Sequence, residues 1–196
     1  MKISRSHLVF LLLCYIGSVF FAGCTGIENQ SGTSVQTGTN VHNQADTNTA
    51  GSSWMTIPFT DAVTGINTSI DELASLGKPV IIHTFAIWCP ACSVQLEETA
   101  KFIHNNPEAY SVLGIDVDSR EDPGMIKRHV DKNQFAGMYA ASPTAMTRSL
   151  IDTFGIQIIR SLPQTMVICN KSITYIGDGA FSEEKLQMIL STVCEK

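Results

Sequence analysis

Thr84–Ser93 reads TFAIWCPACS, with two cysteines three positions apart, the apolar run PVIIH directly before it and the stretch VQLEETAKFI directly after. Residues 80–85, VIIHTF, are too few for a helix, rich in β-branched side chains, and apolar on both faces except at His83 and Thr84. That is the pattern of a buried central strand. After the cysteines, Cys92, Leu96, Ala100 and Ile103 recur at near-helical spacing, Glu97 and Lys101 stand four apart, and Asn105-Asn106-Pro107 stops the helix. The two cysteines therefore fall where a buried strand turns into a helix, and the pair can be a redox couple, a metal clip or packing.

Working outward, YSVLGIDVD from Tyr110 predicts a second strand. Asp122-Pro123 and Ser142-Pro143 each offer an N-cap followed by a first-turn proline. The second of these helices shows Met146, Leu150, Ile151 and Phe154 on its apolar face before Gly155. TMVICN and SITYIG, joined at Asn170-Lys171, predict a hairpin. Ser182 caps a last helix with Glu183 and Glu184 in its first turn and Leu186, Ile189, Leu190 and Val193 on its buried face. A strand or hairpin is expected between Met55 and Ser69, and no internal repeat is visible.

The 196 residues, 44% hydrophobic and 16% charged, suit one globular domain plus an additional segment. That segment is N-terminal. Lys2 and Arg5 precede LVFLLLCYIGSVFFAG, residues 8–23, an apolar run shorter than the ~20 residues of a usual membrane span. Residues 1–23 read as a secretory signal peptide, with an uncleaved signal anchor as the alternative. From Thr25 to Ser53 the chain is Ser, Thr, Asn, Gln and Gly with few apolar residues, too little to offset the entropy of ordering. Residues 24–53 are expected to be a flexible tether with a reach of roughly 30 Å, and 54–196 the folded domain. Loss of Lys2 and Arg5 with the leader moves the formal charge from −5 to −7, which argues against nucleic acid as a partner.

The strand VIIHTF entering WCPAC and a helix, followed by Leu162-Pro163 before a hairpin and a terminal helix, resembles the thioredoxin fold. With its N-terminal leader the chain is similar to the TlpA-type extracytoplasmic thiol-disulfide oxidoreductases, including those serving cytochrome c maturation. The resemblance spans roughly residues 55 to 195 and is weakest from Phe135 to Pro143. It implies an α/β fold, a three-layer sandwich with a central mixed β-sheet flanked by helices. It also implies reduction of protein disulfides with no cofactor beyond the Cys89-Cys92 couple. The implied partners are disulfide-containing or dithiol proteins outside the cytoplasm, with a membrane protein as a candidate electron donor. Phe21-Ala22-Gly23-Cys24 resembles a lipobox, with Phe21 where leucine is usual; it implies a lipid on Cys24 and residence at the extracytoplasmic face of the membrane.

The spacing of the motif has a physical logic. At a helix N-terminus Cys89 meets unpaired backbone N–H groups and the positive end of the dipole, which lower a thiol's pKa below about 8.5 and favour the nucleophilic thiolate. Pro90 fits the first turn, and Cys92, nearly a turn further on, resolves the mixed disulfide. A zinc or copper chaperone or sensor using the same cysteines is the alternative. Zinc needs two further ligands, and Cys169, Cys194, His104 and His129 offer no second clustered pair. Copper carriers of this fold resemble C-x-x-x-C with a distant His, and no peroxidase-like P-x-x-x-T-x-x-C surrounds Cys89.

The resemblance further implies that Pro163 is cis beside the dithiol, so that the backbone of Leu162 pairs with substrate, and that Trp88 and Pro90 belong to the docking surface. Cys169 and Cys194 are expected to serve packing, with a bridge between them left open. Thioredoxins carry a buried Asp six residues before the first cysteine, and many TlpA-type proteins a Glu three after the second; here these positions are His83 and Gln95. His83 is therefore a candidate for proton transfer as the base that accepts the proton Cys92 loses, directly or through a water, set against a neutral core histidine that hydrogen-bonds a neighbouring strand.

Overall fold

The computed structural model describes residues 53–194. The expected leader, Cys24 and the tether up to residue 52 lie outside the described residues. In chain order the elements are α1 (Ser53–Thr56), β1 (Phe59–Thr60), β2 (Asn67–Thr68), α2 (Ile70–Ser75), β3 (Val80–Phe85), α3 (Pro90–Asn105) and β4 (Ser111–Asp116). There follow α4 (Pro123–Asn133), β5 (Met138–Ala141), α5 (Thr144–Phe154), α6 (Gln157–Arg160), β6 (Gln164–Cys169), β7 (Ser172–Asp178) and α7 (Glu183–Cys194).

β3 is the middle strand of a five-stranded mixed sheet of order β5-β4-β3-β6-β7. It runs parallel to β4, which is parallel to β5, and antiparallel to β6, which forms the hairpin with β7. Its six side chains are all buried. Val80 and Ile82 enter a core shared with α1, α2, α5 and α6, whereas Ile81 and Phe85 face α3, α4 and α7. Each such aliphatic side chain contributes about 1.5–3 kcal/mol by leaving water, which is why VIIHTF is the centre of the three layers. The two polar members are satisfied inside: Thr84 donates to the Ile158 carbonyl at 2.8 Å, and His83 lies between two threonines.

Several local expectations shift. α3 buries Cys92, Gln95, Leu96, Thr99 and Phe102, while Ala100 and Ile103 are half-buried. The helix face is turned toward its polar members because His83 beneath it gives Thr99 a partner. Ser142 does not cap α5; the N-cap is Pro143, with no side-chain cap bond, and Ser142 Oγ instead accepts from Thr147 at 2.8 Å. β5 falls inside the stretch least like the family. Its four residues are too few to show alternation, and they are held from outside, by β4 and by the buried Asp61, whose Oδ1 accepts from the Tyr139 N–H at 2.9 Å. Gly114 of β4 admits the Tyr139 ring, since a Cβ there would come within 2.4 Å of it.

Candidate active site at the start of α3

Cys89 is the N-cap of α3 and Pro90 its first residue. Proline there sacrifices no helical hydrogen bond, and the N-cap side chain lies over the open N–H groups of the first turn. Cys89 Sγ accepts from the Cys92 N–H at 3.2 Å, the position in which a thiolate would be held. The two cysteines form a disulfide with Cα atoms 5.2 Å apart. Cys89 is 5% exposed and Cys92 fully buried, so an incoming group meets Cys89 first.

The surroundings come from other elements. The Leu162–Pro163 peptide, immediately before β6, is cis, and the Leu162 carbonyl oxygen lies 3.9 Å from Cys89 Sγ. Trp88 is 62% exposed and donates its indole N–H to Asp118 at 2.7 Å. A groove of about 180 Å³ beside the dithiol is lined by Ala86, Trp88, Val117, Asp118, Ile159 and Leu162, among others. Pro90 is exposed.

His83 is fully buried, its Nδ1 paired with Thr165 Oγ1 at 3.1 Å and its Nε2 with Thr99 Oγ1 at 3.0 Å. Burial pushes its pKa down to about 4, so the imidazole is neutral at neutral pH. Neither ring nitrogen hydrogen-bonds a cysteine. Gln95 is also buried: Nε2 donates to Thr99, and Oε1 accepts from the Phe181 N–H at 2.6 Å, fastening the start of α3 to the approach of α7.

The residues that sequence reasoning passed over follow β4. Asp118 holds Trp88 and also accepts from Arg120, and the Arg120 guanidinium keeps its carboxyl well below the usual carboxylate range. Glu121 Oε2 accepts from the Ile87 N–H at 2.8 Å, two residues before Cys89. Asp116, paired in register with Phe85, is buried, and burial together with the neighbouring Glu121 pushes its pKa up to about 8. A signal was available: IDVDSRED packs Asp116, Asp118, Glu121 and Asp122 into seven residues that begin at the last position of a strand parallel to the one feeding the dithiol. The carboxyl ends of parallel strands lie together.

Cys169 and Cys194 form a second disulfide, with Cα atoms also 5.2 Å apart, between the end of β6 and the last turn of α7. It borders a cavity of about 240 Å³ that includes Lys78 and Pro79 at the start of β3, the end of the sheet opposite Cys89. Among the described residues, no group of three or more His, Cys, Asp and Glu side chains is placed to hold a metal ion.

No family model matches the chain, and none of the curated proteins does. Solved structures do. A secreted disulfide oxidoreductase of Mycobacterium tuberculosis, homologous to E. coli DsbE, superposes with a TM-score of 0.57 at 17% identity, over 71% of this chain and 98% of that one. A thioredoxin-family thiol:disulfide interchange protein from Chlorobium tepidum gives 0.55 at 19% identity, over 70% and 94%. StoA from Bacillus subtilis gives 0.51 at 18%, over 68% and 96%. These likenesses show the thioredoxin-like fold: a central mixed five-stranded sheet flanked by helices.

Proposed function

We propose that this chain is a thiol-disulfide oxidoreductase that reduces disulfides of other proteins outside the cytoplasm. The observation that carries the reading is the Cys89–Cys92 disulfide across the first turn of α3, with Cys89 as N-cap beside the Leu162 carbonyl and a cis proline. In the reduced protein the Cys89 thiolate attacks one sulfur of a partner disulfide, and the other sulfur leaves as a thiolate that takes up a proton. Cys92 then loses its proton and attacks Cys89 Sγ, releasing the reduced partner and leaving Cys89–Cys92 oxidised. Two electrons pass from the pair to the partner, and a dithiol donor restores them.

The backbone at Leu162 and Pro163 is proposed to pair with the substrate chain, and Trp88 and Pro90 to form the exposed side of the docking groove. Anchoring through Cys24, or through an uncleaved 1–23 segment, keeps the domain at the outer membrane face within the reach of its tether. The extracytoplasmic character of the secreted neighbour from M. tuberculosis supports this placement. Cys24→Ala should abolish lipid labelling if the lipid is the anchor.

The decisive experiment is dithiol-dependent insulin reduction by the purified domain, run beside metal analysis of protein prepared under reducing conditions. Turnover that disappears in Cys89→Ser, with no stoichiometric metal, supports the reductase. Stoichiometric copper or zinc without turnover would make the chain a metal carrier or sensor. Trapping sharpens the roles: Cys92→Ser should accumulate mixed disulfides on Cys89, and Cys89→Ser should not.

A further inference from the structure

The Cys169–Cys194 bridge touches both the core and a solvent-filled opening. Cys169 is the last residue of β6, 6% exposed and paired in register with Ser172 of β7 across the Asn170-Lys171 turn. Cys194 is half-buried in the last turn of α7. Through Cys169 the bridge belongs to the buried cluster of Ile81, Phe102, Val167, Leu186 and Leu190. Both cysteines also line the cavity of about 240 Å³, whose other walls come from the end of α2, the loop leading into β3 and the Asn170-Lys171 turn. Ser75, Gly77, Asn170 and Lys171 are exposed, so this cavity opens to water. It has room for a small molecule and not for a folded partner.

The charges of the cavity have one sign. Lys78 and Lys171 line it, and no acidic side chain does. Lys78 Nζ lies 2.9 Å from Glu108, whose side chain is 90% exposed, so water screens that pair. Lys171 forms no ion pair among the described residues. The turn that carries it, left-handed at both Asn170 and Lys171, is only two residues long and keeps this cation close to Cys169. An anion is attracted to such a cavity, and a thiolate formed in it is stabilised. The two sulfurs are not equivalent. A thiolate at Cys169 shares the cavity with both lysines, whereas one at Cys194 stands at the negative end of the α7 dipole, in a last turn that holds no basic residue. In thiol exchange the sulfur better stabilised as a thiolate leaves faster, so Cys169 is the leaving group and Cys194, also the more exposed, is the one attacked.

We propose that Cys169–Cys194 is a second exchange site, at which a small anionic thiol enters the cavity and becomes joined to Cys194. The incoming thiolate forms a disulfide with Cys194 Sγ while the Cys169–Cys194 bond breaks, and Cys169 leaves as a thiolate that takes up a proton. A second thiolate then attacks the small-molecule sulfur of the adduct, and Cys194 leaves and is protonated. Two small thiols have become one disulfide, and two electrons and two protons have entered the chain. What the bridge restrains is the far end of α7. The start of that helix is held separately, by the Phe181 N–H on Gln95 at 2.6 Å and the Glu183 N–H on Glu98 at 3.1 Å. Joining a thiol to Cys194 therefore loosens the last turns of α7 and leaves its start fastened to α3, with no part played by Cys89 or Cys92.

The test treats the full chain, carrying Cys89→Ser and Cys92→Ser and oxidised at Cys169–Cys194, with reduced glutathione as the anionic thiol and with cysteamine as a cationic one. After acid quenching, peptide mass mapping locates the adduct. Glutathione should be found on Cys194 with Cys169 as the free thiol, formed at least about tenfold faster per thiolate than the cysteamine adduct. The rate should not change with urea below the unfolding transition. Added salt should shrink the advantage of glutathione, and so should Lys78→Gln combined with Lys171→Gln; the salt arm needs no lysine variant. In the adduct, amide hydrogen exchange should quicken in the last turns of α7 and not at Phe181 or Glu183. An adduct chiefly on Cys169, equal rates for the two thiols, or reaction that begins only as urea unfolds the chain overturns the proposal. Should the serine variant fail to fold, the wild type is mapped in the same way, since peptide masses separate an adduct on Cys194 from one on Cys89.

Discussion

The two disulfides have the same Cα separation, 5.2 Å, yet sit at opposite ends of the sheet and at opposite ends of helices. Cys89 is the N-cap of α3, where open N–H groups and the positive end of the dipole favour a thiolate. Cys194 is in the last turn of α7, where carbonyls and the negative end disfavour one. Cys89–Cys92 closes a loop of three residues, which restrains the unfolded chain little. Cys169–Cys194 spans 25, which restrains it substantially. Bond type alone therefore says little about a disulfide's use: the helix end sets reactivity, and the loop length sets what the bond does for stability.

The largest effect that could break this comparison is on turnover. Cys89→Ser should lower insulin reduction by about a thousandfold or more, since no other thiolate occupies its place. The double variant Cys169→Ala, Cys194→Ala should keep activity within roughly twofold while losing about 3 kcal/mol of stability in urea unfolding, the loop-closure entropy of a bridge of this span. If the double variant lost turnover as completely as Cys89→Ser, the second bridge would belong to the chemistry.

A second prediction turns on His83, which lies directly beneath α3. Its folded pKa, about 4, is below the value of about 6.5 expected unfolded. The unfolded state therefore binds a proton first, and the stabilisation held above pH 6.5 drains away as pH falls toward 4, by about 3 kcal/mol. Asp116 tilts the other way, because its raised pKa removes stability as pH rises from about 4 to about 8. Between about pH 4 and 6.5 the two slopes oppose each other, so urea midpoints of the wild type should change little there, whereas those of His83→Asn should rise as pH falls. If His83 is the proton acceptor during resolution, His83→Asn should also slow release of the mixed disulfide roughly 10- to 100-fold. A stable variant with an unchanged rate would confine His83 to the bridge between Thr99 and Thr165.

The smallest expected effect is at Trp88, an exposed indole tied to Asp118. Trp88→Ala should raise KM for a protein substrate several-fold, about 1 kcal/mol of lost contact, with less effect on a small disulfide and none on the unfolding midpoint. Equal losses on both substrates would mean that Trp88 supports the dithiol rather than the docking surface.

Much of this arrangement is legible along the chain because it is local. VIIHTF followed by WCPAC places a buried strand against a helix start, and a proline after the first cysteine suits the first turn whatever the rest of the protein does. Periodicity also located β6, β7 and α7, and Asp122 does cap α4, its side chain accepting from the Met125 N–H at 2.8 Å. It did not locate β5, whose four residues are strand because β4 and Asp61 supply partners from elsewhere. Gln95 and Thr99 were invisible as core for a similar reason: polar side chains are buried only where distant groups satisfy them, and these are satisfied by Phe181 and His83.

By itself the sequence determined that Cys89 and Cys92 stand about one turn apart where a buried strand enters a helix, with Cys89 at the helix start, since local spacing decides this. Only the tertiary structure decided what surrounds them. The Leu162 carbonyl reaches Cys89 because β6 lies beside β3, and Glu121 accepts from the Ile87 N–H because β4 lies on its other side. Sheet order brings Leu162 to Cys89 across 73 positions of sequence, and the proton affinity of a carboxyl depends on what is buried next to it rather than on what is bonded to it.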